Sequence, residues 1–260
     1  MSRISSVFNR PGRKALIAYV TIGYPSIEAT LKAVPLLAES GCDIVELGVP
    51  FSDPLADGAT IQNASHHALE NGVTVKKCLE IAGRLRKTVD IPLLFMTYYN
   101  PVYHFGLQAF RDECSRCGID GLIVPDLPPE EGVELEKLLS ERNGDLVYLL
   151  APTSTEERIR LVAQHSSGFI YLVSLTGVTG ARQQLDANLD AFVKRVKKQT
   201  DKPLCVGFGI STPEQAKKAV QTADGAIIGS RIIQLMEADP TLQNVRDFVK
   251  QVRAALDTPT

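Results

Sequence analysis

From Leu16 onward the chain alternates between short apolar runs, rich in branched side chains, and longer polar segments in which apolar residues recur every three or four positions. The first pattern is that of a strand buried on both faces, the second that of a helix resting one stripe on a core. Strands are predicted over residues 16–22, 43–47, 92–96, 121–124, 146–150, 169–173, 204–206 and 225–228. Helices are predicted over 27–39, 75–87, 107–116, 130–141, 156–164, 189–199, 213–222, 231–237 and 242–256, with a further one after the second strand carrying His66 and His67. Ser211-Thr212-Pro213-Glu214 and Pro128-Pro129-Glu130-Glu131 mark helix starts, because proline in the first turn gives up an N–H that has no partner there anyway.

Eight strand–helix units in 260 residues predict an α/β chain folded as a single (β/α)8 TIM barrel, one domain spanning residues 1–260. An open doubly wound sheet is the alternative, but no Gly-x-Gly-x-x-Gly follows the first strand and no linker divides the chain. Residues 4–8 are expected to form a short N-terminal helix under the barrel. Two loops are long for such a fold, 48 to about 60 after strand two and 174 to about 188 after strand six, and loops of that length are usually functional or disordered.

Composition narrows the class without naming a function. A net charge of -2, with 44% hydrophobic and 22% charged residues, describes a globular chain with no basic block for nucleic acid. No stretch reaches the roughly 20 apolar residues of a spanning helix, and no signal-like apolar core follows the basic N-terminus, so a cytoplasmic protein is expected. The five cysteines do not form a disulfide framework, and Cys114 and Cys117 lack the second ligand pair a zinc site would need.

Candidate chemistry concentrates where a parallel barrel places it, at strand C-terminal ends and the loops beyond. Glu46 lies near the end of the second strand, and Asp53 and Asp57 follow on a loop stiffened by Pro50 and Pro54. With no nucleophile elbow, no strand-end lysine and no spaced histidine pair, Glu46, Asp53, Asp57 and Asp126 are left for acid–base work. A glutamate facing an apolar barrel mouth has its pKa raised by desolvation; a salt bridge to a helix is its structural alternative, and turn capping that of the aspartates. Gly207-Phe208-Gly209 and Gly229-Ser230, each opening onto a helix after strands seven and eight, together with Gly180, predict a phosphate site. A phosphosugar isomerase and a non-catalytic barrel activating a partner both remain compatible with these features.

The segment from Glu46 to Gly58, followed by Ile61-Gln62, resembles the signature of the tryptophan synthase alpha subunit family. Tyr98 with Asn100-Pro101, Pro125-Asp126-Leu127-Pro128, Tyr171, Gly177-Val178-Thr179-Gly180, Gly207-Phe208-Gly209-Ile210 and Gly229-Ser230 agree in order and spacing. The resemblance implies a lyase that splits indole-3-glycerol phosphate into indole and glyceraldehyde 3-phosphate without metal or organic cofactor. It implies that Glu46 and Asp57 are catalytic, that Tyr98, Tyr171, Thr179 and Phe208 line the substrate, and that Gly180, Gly209, Gly229 and Ser230 bind its phosphate. It implies a pyridoxal-phosphate beta subunit as partner in an alpha2-beta2 heterotetramer, contacted through Asp53, Asn100 and Pro128. Tyr24 and Leu175-Thr176 depart from the residues frequent in that family.

Overall fold

The computed structural model describes residues 1–173, 182–207 and 209–258, the side chains of 182–187 excepted. Nine strands in this region pair in parallel: β1 (Ala15–Thr21), β2 (Ile44–Gly48), β3 (Leu93–Met96), β4 (Gly121–Ile123), β5 (Asp145–Val147), β6 (Leu149–Leu150), β7 (Ile170–Val173), β8 (Leu204–Gly207) and β9 (Gly225–Ile228). The helices are α1 (Arg3–Val7), α2 (Ile27–Glu39), α3 (Ala59–Glu70), α4 (Val75–Leu85), α5 (Tyr99–Phe105), α6 (Leu107–Cys117), α7 (Pro129–Ser140), α8 (Glu156–His165), α9 (Arg182–Lys197), α10 (Pro213–Ala219), α11 (Ser230–Ala238) and α12 (Gln243–Asp257).

The strand order is β5-β4-β3-β2-β1-β9-β8-β7-β6. Its two ends, β5 and β6, are consecutive pieces of the expected fifth strand, parted at Tyr148. There the Tyr148 N–H donates to Ser166 Oγ at 3.1 Å, and its carbonyl accepts the Tyr171 N–H at 3.0 Å. The sheet thus closes on itself through Tyr148, and the eight-unit barrel stands with its fifth strand in two parts.

Three other local expectations change. Residues 99–105, including His104, form α5 rather than a loop; Gly106 at φ 90° separates it from α6. The helix after β7 begins at Arg182, not at residue 189, because its first turns are too polar to show an apolar stripe. That shortens the expected long loop, whose residues 174–181 lie outside the described region.

Period-2 alternation sorts side chains between two cores. Ala18, Val20, Val45, Leu47 and Phe95 point outward under the helices, while Ile17, Tyr19, Ile44, Leu94, Met96, Tyr171 and Ile227 fill the barrel. At the floor, α1 inserts Ile4, fully buried against Gly121 and Gly168, as the sequence predicts. Beside it Asp43 is buried and fully engaged: it accepts from Arg13 at 2.8 Å, from Arg253 at 3.0 Å and from the Leu16 N–H at 2.9 Å.

Candidate active site

The alternation that puts Ile44 inside the barrel also puts Glu46 inside, one pleat nearer the mouth. Its register neighbours are Tyr19 on β1 and Leu94 on β3. The Glu46 carboxyl is completely buried, and neither oxygen has a hydrogen-bond partner among the described residues. Among the described residues Glu46 makes no salt bridge to a helix. Deprived of water, the carboxyl is pushed up to about 8, so it holds its proton at neutral pH.

Asp57 reaches the same cavity from the loop after β2. Burial pushes it up to about 6, against the pull of a hydrogen bond from Tyr98 Oη to Asp57 Oδ2 at 3.1 Å. Its other oxygen, Oδ1, is buried and unpartnered. Tyr98 in turn accepts the Ala56 N–H at 3.0 Å and stacks on Phe51 with ring centroids 5.1 Å apart. One phenol thus fixes both the loop and the carboxylate on it. The turn itself is closed by backbone, Asp57 N–H to Pro54 carbonyl at 3.1 Å, so the side chain is not spent on capping.

These groups share a cavity of about 370 Å³ at the barrel mouth. Its wall adds Tyr19, Ile61, Met96, Tyr171 and Ile227, mostly the interior positions of neighbouring strands. The tyrosines fit because they face glycine: a Cβ on Gly48 would collide with the Tyr19 ring, and one on Gly207 with the Tyr171 ring. Tyr19 went unremarked in the sequence, although it occupies the same period-2 layer as Glu46.

Across the cavity lie Gly209, Ser211, Gly229, Ser230, Arg231 and Gln234. The two glycine segments are not equivalent. In front of α10, Gln215 Oε1 accepts the Ser211 and Thr212 N–H groups and Thr212 Oγ1 accepts the Gln215 N–H, a complete capping box. α11 starts at Ser230 behind Gly229 with no side-chain cap, leaving its first N–H groups open to an anion.

The other expected residues fall elsewhere. Asp53 is exposed on the rim of the loop, Asn100 is exposed on α5, and Pro128 is half-buried as the N-cap of α7. Asp126 caps α5 by accepting the Tyr99 N–H at 2.9 Å and takes no part in the cavity. Tyr98 stands behind Asp57 rather than on the cavity wall. Thr179, Gly180 and Phe208, like Leu175 and Thr176, lie outside the described residues. Among the described residues no group of three His, Cys, Asp or Glu side chains could hold a metal ion, and all five cysteines are free and buried.

Comparison with known proteins agrees along the whole chain. The family model described as tryptophan synthase alpha chain matches residues 6–258. A tryptophan synthase alpha chain from Dehalococcoides mccartyi is 56% identical over 257 residues, 99% of this chain and 100% of that one. One from Geobacter sulfurreducens is 46% identical over 263 residues, covering 98% and 99%. Among solved structures, Mycobacterium tuberculosis tryptophan synthase superposes with a TM-score of 0.91 at 38% identity over 99% of each chain. The alpha subunit from Legionella pneumophila gives 0.91 at 35% identity, also over 99% of each.

Proposed function

The chain belongs to the tryptophan synthase alpha chain family, and from that premise we propose how its cavity divides the work of the family's reaction. That reaction is a carbon–carbon lyase step, the retro-aldol cleavage of indole-3-glycerol phosphate to indole and glyceraldehyde 3-phosphate.

Glu46, protonated at neutral pH, gives its proton to indole C3, and positive charge builds on the ring nitrogen. Asp57, mostly ionised at pH 7, holds the indole N–H through its unpartnered Oδ1 and stabilises that charge. The carboxylate now left at Glu46 takes the proton of the glycerol hydroxyl next to the ring. The carbon–carbon bond breaks, its electron pair restores the aromatic indole, and the glycerol carbon leaves as the aldehyde. Glu46 ends as it began, and the indole ring is the electron sink, so this route calls on no metal or organic cofactor.

Tyr171 closes the wall beside Glu46. Gly180, Gly209, Gly229 and Ser230 hold the phosphate, while Thr179 and Phe208 line the substrate. The product passes to a beta subunit for tryptophan synthesis in an alpha2-beta2 heterotetramer, with Asp53, Asn100 and Pro128 on the contact face. Leu55, 93% exposed, and Tyr103, 68% exposed, sit on the same loop and helix and support an apolar contact there. Residues 1–260 act as one domain, in the cytoplasm; no described helix is long and apolar enough to cross a membrane.

The observation that carries this reading is a fully buried Glu46 carboxyl without a partner, in one cavity with the open oxygen of Asp57. It is tested by assaying indole release from indole-3-glycerol phosphate, with and without a beta subunit. Indole is expected with the wild type and not with Glu46→Gln; a phosphosugar isomerase would release none in either case.

A further inference from the structure

Apart from Glu46 and Asp57, the described residues lining the cavity include one more charged one, Arg231. Its position is electrostatically awkward. Arg231 is the second residue of α11, where the positive end of the helix dipole disfavours a cation, and no acidic residue lies in that first turn. No carboxylate or carbonyl among the described residues pairs with it; its guanidinium carbon lies 6.0 Å from the centre of the Phe248 ring. A half-buried cation kept beside an uncapped helix N-terminus is explained if a dianion completes the site. The same cavity points to a ligand independently, through the unpartnered and fully buried Glu46.

We propose that Arg231 binds the phosphate dianion of the substrate beside the Gly229 and Ser230 N–H groups. It thereby makes the cavity selective for phosphorylated over unphosphorylated indole-3-glycerol. The inference rests on the reading of this side of the cavity as the phosphate end. Arginine suits the task because its planar fork gives two parallel hydrogen bonds to phosphate oxygens and keeps its charge at every working pH.

Steady-state indole release with Arg231→Gln, Arg231→Lys and the wild type tests it, with glycerol 3-phosphate as a competing phosphate ester. Arg231→Gln is expected to raise KM for indole-3-glycerol phosphate, and the inhibition constant of glycerol 3-phosphate, by about tenfold each, with kcat within about twofold. Arg231→Lys recovers part of both. Cleavage of unphosphorylated indole-3-glycerol, slow in all three, is unchanged. If Arg231→Gln leaves both constants at their wild-type values, whether or not its melting temperature falls, Arg231 merely packs on Phe248 and the inference is wrong. If glycerol 3-phosphate fails to compete even against the wild type, the phosphate end itself has been misread.

Discussion

Asp43, just before β2, and Glu46, at its centre, stand three residues apart, both buried, 3% and 0% exposed, and are treated in opposite ways. At the floor Asp43 is held by three arginines, Arg10, Arg13 and Arg253, and a backbone N–H. At the mouth Glu46 has no partner among the described residues. Burying a carboxylate is costly unless it is paired, so the floor acid is neutralised by its partners and the mouth acid by keeping its proton. A paired acid contributes to holding the barrel shut. An unpaired one weakens the fold and is left free to give its proton away.

The sharpest way to break this contrast is Glu46→Gln. It should lower kcat for indole release by about 10³-fold, the scale of a lost general acid and base. Stability should move the other way. The unfolded chain loses this proton near 4.5 and the folded one near 8, so the folded state binds more protons between those values and stability falls as pH rises through them. Glu46→Gln removes that slope, and its melting temperature at pH 9 should exceed that of the wild type by roughly 5 °C. A variant less stable than the wild type at pH 9 would mean that Glu46 has a partner after all.

Asp43→Ala is the converse. It leaves Arg10, Arg13 and Arg253 without their shared carboxylate and should cost about 3 kcal/mol in urea denaturation, with specific activity of the folded fraction unchanged.

Asp57→Asn should lower kcat by about 10²-fold, since the ring charge then meets a neutral amide. In the wild type, kcat/KM should fall below about pH 6, as Asp57 takes up a proton, and above about pH 8, as Glu46 loses its own. The smallest effect is expected from Tyr98→Phe, about fivefold in kcat/KM for one hydrogen bond. Because that bond holds Asp57 down, its loss should move the acid limb of the profile to higher pH. A limb that stays in place would separate Tyr98 from Asp57.

The barrel was legible because eight apolar runs alternate with helical ones, and Glu46 because a lone acid interrupts such a run. Asp57 was legible as a carboxylate on a stiffened loop, although its role came only with the resemblance. What could not be read depends on who faces whom. Tyr19 becomes a wall of the site only once β1 and β2 are set in register, Tyr19 beside Glu46. The difference between the two glycine segments turns on Gln215 folding back over Ser211 and Thr212, a choice of side-chain rotamer. The break of the fifth strand at Tyr148 reflects a serine hydroxyl from the next connection competing for one backbone N–H. α5 leaves no mark on the sequence because seven residues, with Pro101 in the first turn, are too few to display a helical period.

Tyr98 is at once the residue on which α5 begins and the donor to Asp57. The outer side of that short helix carries exposed Asn100 and Tyr103. Mechanically, α5 is a handle on the outside of the molecule whose axle is the Tyr98–Asp57 hydrogen bond. A displacement of the helix by half an ångström or so would stretch a 3.1 Å contact past its useful range, with no other side chain in between to absorb the movement. Whatever contacts that side of α5 lies one hydrogen bond away from the Asp57 carboxylate.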